Sequence, residues 1–285
     1  SVTSIDYSAF YMCFSLSEIK MPQSLEVIGS NAFYKCISLK QITIPGSVKI
    51  GSNAFKCCPL LNIIISPQSS TIKFSIKDIG DFENISSLSS VEKSSPVNSI
   101  ILSESITSIE NSLFSNCSSL KRAFLLSSIR SFGNKVFYQC SSLKEVDIQS
   151  KISSIGNDSF AYCNSLTHVT LPSSLTSIDN YAFNECKSLI QVNIPPSVTS
   201  IGEYSFHNCM QLSQIELPSS LLTIGKNAFS CCSSLIQIKI PSSITSISDY
   251  SFNHCELLSN VELPSTLTSI GENAFTDCYS LIKIV

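Results

Sequence analysis

Residues 166–189 read LTHVTLPSSLTSIDNYAFNECKSL, and this phrase returns along the chain with little change. Numbered from its first leucine, position 1 is Leu, 4 is Ile or Val, and 6 is Leu or Ile. Position 7 is usually Pro, 10 is aliphatic, 13 is Ile, 14 is Gly or Asp, 18 is Phe and 21 is Cys. Phenylalanine keeps the beat. Phe10, Phe33, Phe55, Phe114, Phe137, Phe160, Phe183, Phe206, Phe229, Phe252 and Phe275 all hold position 18, and from Phe114 onward each step is 23 residues. A fixed period of this size identifies stacked structural units.

Each position has a physical task. Apolar 4 and 6 alternate with polar 3 and 5, which predicts a short strand with one buried face. Pro at 7 ends that strand, because it lacks the N–H that a ladder requires. Positions 10 and 13 predict a second extended wall. Gly29, Gly51, Gly80, Gly133, Gly156, Gly202, Gly225 and Gly271 share position 14, which predicts a tight corner with positive φ. Positions 17, 18, 21 and 1 are spaced for a single helical or 3₁₀ turn. No unit can bury its apolar side alone; stacking does it.

Between Phe55 and Phe114 the period fails. Phe82 heads FENISSL, which matches the phrase after Phe10, with Ile85 in the Cys place. That alignment gives twelve repeats in one domain spanning 1–285, with insertions about residues 66–105 predicted as surface loops.

The chain has 285 residues, a net charge of −3 and only 14% charged residues, so it offers no basic footprint for nucleic acid or an anionic membrane. Serine makes up about a fifth of the chain, mostly at corner positions, where it is turn chemistry rather than disorder. Both termini fall inside a repeat, which predicts a piece of a longer protein; membrane attachment would need a segment outside this chain.

Eleven of the thirteen cysteines occupy position 21. Disulfides or metal are the chemical reading. Against metal stands the absence of Cys-x-x-Cys or a usual His pairing. Stacking would bring ladder thiols within disulfide range in Cα distance, yet each side chain would point into the core parallel to its neighbour. The reading adopted is a column of small buried thiols. His168, His207 and His254 are the three histidines; His207 and His254 are expected at the surface. No phosphate loop or triad signature appears, so neither catalysis nor a cofactor is expected.

Positions 3 and 5 of all repeats form one outward strand face. Its later half carries Glu145, His168, Gln191, Gln214, Gln237 and Asn260 at position 3, and Asn193, Glu216, Lys239 and Glu262 at position 5. Two readings stand. The columns either register the sheet through hydrogen bonds along them, or form a polar groove for a protein or glycan. Ile63, Ile65, Ile101 and Phe124 are expected on the same face as an apolar patch. That patch either meets a partner or lies under an insertion. Open sheet edges at both ends also allow end-to-end self-association.

The pattern Leu-x-x-Ile/Val-x-Leu/Ile-Pro, Leu-x-x-Ile-Gly, Ala-Phe-x-x-Cys resembles the BspA-like leucine-rich repeats; LPSTLTSIGENAFTDCYSLIKI (residues 263–284) is similar to their consensus. The resemblance implies a curved, right-handed leucine-rich-repeat solenoid with short strands on its concave face and helical or 3₁₀ turns elsewhere. It also implies a cell-surface or secreted protein of bacteria or parasitic protists, working in adhesion to host cells or extracellular matrix. The Ser/Ile/Asn-rich composition is similar to the protist members. The alternative is a cytoplasmic interaction scaffold on the same repeat, which thirteen thiols fit better.

Overall fold

The computed structural model describes residues 2–45, 48–51, 53–58, 62–66, 99–102, 108–109, 111–125 and 129–285. Phe82, Ile85, Gly80 and most of the two expected insertions lie outside these residues. The described chain is a parallel β-solenoid. Among the described residues, repeats contribute a short strand beginning at position 3, such as His168–Thr170, and a two-residue strand at positions 12–13, such as Ser177–Ile178. Like strands pair only with like strands of adjacent repeats, in parallel and in register: Gln191 opposite Gln214, Ser177 opposite Ser200. The first set forms hydrogen-bonded ladders of seven, two and three strands, and packing continues across the gaps between them. Among the described residues that makes twelve strands, in agreement with the repeat count. Ile63 pairs directly with Ile100, so Asn62–Ser66 and Ser99–Leu102 are neighbours in the sheet.

Between the two walls runs the core. Phe33, Phe55, Phe137, Phe160, Phe183, Phe206, Phe229 and Phe252 are wholly buried. Their rings stack at centroid distances such as 5.1 Å for Phe160–Phe183 and 5.4 Å for Phe229–Phe252, within 8° of parallel in both cases. Spacing near the strand separation of about 4.8 Å is what a parallel stack imposes.

Two expectations are corrected here. First, the segment around position 18 is not a helical turn. Tyr181 and Glu185, at positions 16 and 20, have φ of 58° and 63°, and the same two positions are left-handed in repeat after repeat. Left-handed residues interrupt a right-handed helix. The N–H groups therefore alternate. Those of Ala182, Asn184 and Cys186 close turns to Asp179, Tyr181 and Phe183, whereas those of Tyr181, Phe183 and Glu185 bond forward to the carbonyls of Glu203, Ser205 and His207. A staircase of turns thus doubles as a third inter-repeat ladder.

Second, no described glycine has positive φ. Position 14 needs glycine because the preceding repeat is too close. A Cβ on Gly202 would stand 2.6 Å from the backbone nitrogen of Asn180. Where Asp179 and Ser248 fill this corner, side-chain bonds secure it: Ser177 Oγ donates to Asp179 Oδ1 at 3.0 Å, and Ser248 Oγ to the Ile224 carbonyl at 2.6 Å.

The position-21 cysteines form the expected column, and all thirteen cysteines are thiols. Most ladder thiols have a specific partner. Cys186 Sγ donates to the carbonyl of Phe160 at 3.1 Å, Cys209 to Phe183 at 3.2 Å and Cys232 to Phe206 at 3.2 Å. A small residue with one weak donor fits this place.

Two predictions follow from this packing. Gly202→Ala forces backbone apart and is expected to cost about 1–3 kcal/mol in chemical denaturation; an unchanged midpoint would rule out the close approach. Burial, chiefly, holds the pKa values of Cys163, Cys186, Cys232 and Cys255 well above the ordinary thiol range. In the unfolded chain each ionises near pH 8.5 (roughly). Above that pH the folded state retains protons that the unfolded state has lost. Stability therefore falls with rising pH, by about 1.4 kcal/mol per unit for each such thiol, until the folded thiols ionise in turn. A melting temperature flat across about pH 6–8 and dropping steeply above about pH 9 is the expected thermal profile.

Candidate ligand-binding face

The strand face is built by alternation. In His168–Thr170, Gln191–Asn193, Gln214–Glu216 and Gln237–Lys239 the middle residue is buried and its two neighbours are exposed. Parallel in-register pairing then aligns equivalent side chains: Glu145 with His168, Asn193 with Glu216, Gln237 with Asn260 and Lys239 with Glu262. All ten expected polar positions, from Glu145 to Glu262, therefore fall on one face.

The apolar patch is repositioned. Asn62 pairs with Gln41, Ile63 with Ile42 and Ile65 with Ile44. Ile63 and Ile65 thus share register with the buried Ile42 and Ile44 rather than with Gln41 and Thr43. Ile64 is in register with Ile101, which is in register with Phe124. A one-residue slip exchanges every side of a strand. Counting at fixed spacing misses this slip, because Asn62 follows Phe55 by seven residues where Gln41 follows Phe33 by eight.

Three other polar columns of the solenoid spend hydrogen bonds internally. Asn134, Asn157 and Asn180, at position 15, each accept through Oδ1 from the backbone N–H of position 15 in the next repeat, at 2.9, 3.1 and 2.8 Å. Ser174, Ser197 and Ser220, at position 9 or its equivalent, donate to the carbonyls of Ile152, Leu175 and Val198. Thr176 and Thr268 donate to Ser153 and Thr245. Sequence reading missed the asparagine column, although its spacing of 23 from Asn111 to Asn180 is plain in the chain.

The strand face behaves differently. Among the described residues, no hydrogen bond joins the side chains of Gln191, Gln214 and Gln237 to each other or to anything else. The expected bonding along that column does not form. Asn260 Oδ1 is buried and without a partner. One ion pair crosses the face, Lys239 Nζ to Glu262 Oε2 at 3.2 Å, with the lysine side chain 79% exposed. Such a pair contributes about 0–1 kcal/mol.

These side chains line two hollows. One, of about 500 Å³, has Glu216, Gln237, Lys239, Asn260 and Glu262 on its walls and Ile215, Leu217 and Ile238 beneath. The other, of about 220 Å³, lies between Gln191, Asn193, Gln214 and Glu216. A wider groove of about 680 Å³ runs along the glycine corner, beside Asn157, Asn180 and Lys226. Its amides are engaged in the asparagine ladder, and Lys226 pairs with Asp249 at 3.5 Å. Size alone therefore does not decide between the faces; unspent hydrogen-bonding capacity favours the strand face.

The histidines assemble no catalytic constellation among the described residues. His168 Nδ1 lies 2.9 Å from Thr167 Oγ1 on the open face, and His254 pairs with Asp277 at 3.3 Å. His207 is half-buried, contrary to the surface expectation. It meets Tyr204 edge-on, and burial lowers its pKa against the opposing pull of Glu185.

A profile of the BspA type leucine rich repeat region, in six copies, matches residues 3–101, 89–190 and 176–285. The chain belongs to this family. Three solved structures are similar to it. A leucine rich repeat protein of T. pallidum is 27% identical, covering 65% of this chain and 78% of its own, with a TM-score of 0.52. One from Bacteroides ovatus is also 27% identical, covering 99% and 82%, with a TM-score of 0.49. A leucine rich cell surface protein from Faecalibacterium prausnitzii is 26% identical, covering 99% and 82%, with a TM-score of 0.41. A comparison with curated proteins found no match.

The BspA-type repeat thus separates structural from presented polar residues, and the separation is measurable. Gln214→Ala and Gln237→Ala are expected to leave stability within about 0.5 kcal/mol of the parent. Asn157→Ala removes a ladder bond and is expected to cost about 1 kcal/mol. Equal losses at both kinds of site, in urea titrations, would show that the glutamines are structural after all.

Proposed function

We propose that this BspA-type repeat domain is a non-enzymatic binding module that receives a protein or glycan on its strand face between Glu145 and Glu262. The observation that carries this reading is the contrast between columns. Asn157, Ser174 and Thr176 satisfy the backbone of the adjacent repeat, while Gln191, Gln214 and Gln237 present both donors and acceptors to solvent. A continuous surface made by repetition suits an extended ligand. Display at a cell surface, in adhesion or host recognition, is what membership of the BspA-type family suggests.

A binding screen against extracellular-matrix proteins and glycans tests the reading. The paired variant Gln214→Ala/Gln237→Ala is expected to lose at least about tenfold in affinity, since each unmet polar contact in a bound interface costs roughly 1–3 kcal/mol. Unchanged affinity for a ligand found in the screen would move the site elsewhere.

Thirteen thiols favour a second reading, an interaction scaffold inside the cell. Immunolabelling of unpermeabilised cells separates the two: surface signal supports adhesion, and signal only after permeabilisation supports the scaffold.

A further inference from the structure

The position-5 column places three charges in succession, Glu216, Lys239 and Glu262. Lys239 is bonded to Glu262, and Glu216 has no counter-ion among the described residues. This stretch of the column therefore carries one uncompensated negative charge. Glu216 also stands where the two hollows of the strand face meet, lining both.

Its surroundings are rich in acceptors. The Gln214 and Gln237 amides are exposed and unengaged. Such a place asks for positive charge together with several N–H donors. An ammonium brings three donors around a point. A guanidinium brings five in one plane, matches a carboxylate in a two-bond fork and still has donors left for neighbouring carbonyls. An acidic glycan would find the reverse: Glu216 would repel it, and Lys239 is already paired.

We propose, resting on the strand-face reading above, that the ligand is an extended segment of a partner protein whose arginine side chain pairs with Glu216. The arginine's remaining N–H groups go to the amide carbonyls of the flanking glutamines. Binding completes the alternation of charge along the column, and Lys239 sets the spacing by repelling a second cation from its own position.

Fluorescence anisotropy with a short labelled Gly/Ser peptide carrying three arginines tests this, alongside the same peptide with citrulline or glutamate in their place. Citrulline keeps the shape and removes the charge. The arginine peptide is expected to bind, with both substitutes at least about tenfold weaker, the scale of a lost charge-assisted pair. Glu216→Gln is expected to weaken the arginine peptide by a similar factor, and Glu216→Lys to reverse the preference toward the glutamate peptide. Glu203→Gln, an equal change of charge at the glycine corner, leaves binding unchanged. Equal binding of the citrulline peptide, an equal effect of Glu203→Gln, or no binding of the arginine peptide up to about 1 mM would overturn the proposal. Weakening by Gln214→Ala/Gln237→Ala with none from Glu216→Gln overturns the arginine pairing and keeps the strand-face reading. Insensitivity to both sets of variants removes both.

Discussion

Everything in this solenoid depends on one spacing, the distance at which parallel backbone of one repeat hydrogen-bonds to the next. Strand positions set it at about 4.8 Å. Every other column must then accept the same step. Flat phenylalanine rings do so by stacking at little more than that distance, as in Phe160–Phe183 at 5.1 Å. Cysteine does so with a thiol reaching back to the phenylalanine carbonyl of the preceding repeat. Asparagine does so by holding the next backbone N–H. Glycine does so by having no side chain where backbone meets backbone. The consensus is a set of solutions to one geometric demand.

This explains which features the chain reveals by itself. Phe, Cys, Gly and the strand aliphatics repeat because the demand repeats, so period, strand face and core are all readable from spacing. Three things were not readable. The left-handed φ at Tyr181 and Glu185 is only weakly marked by composition: Asn and Asp recur at these two positions, but Tyr, Glu, Lys, Ser and Cys occupy them too. Helical spacing of apolar residues fits a staircase of turns as well as it fits a helix. The register of Asn62–Ser66 depends on a missing residue upstream, and strand faces invert on a single such step. Which polar columns are engaged and which are idle depends on hydrogen-bond geometry, and Gln and Asn look alike in a sequence.

The distinction between engaged and idle columns bears on function. A polar residue that satisfies its neighbour's backbone is as structural as a buried leucine, and its replacement is felt in stability. A polar residue with no partner makes no such contribution. The strand face from Gln191 to Glu262 is of the second kind, with unspent donors, unspent acceptors and one unbalanced carboxylate. Folds of this type do not name their ligands, so chemical capacity left over after folding is the physical guide to what the surface takes.

The thiol ladder has a further consequence, for the order of events during biogenesis. Most ladder cysteines are shielded only once their own repeat and the preceding one have docked, because the hydrogen-bond partner belongs to the preceding repeat. Before docking, thirteen accessible thiols on one chain could cross-link in many wrong ways if an oxidant reached them. Solenoid repeats add to their neighbours one after another. Folding and oxidation are therefore in competition, and the native thiol state belongs to a chain whose repeats close faster than its sulfurs react.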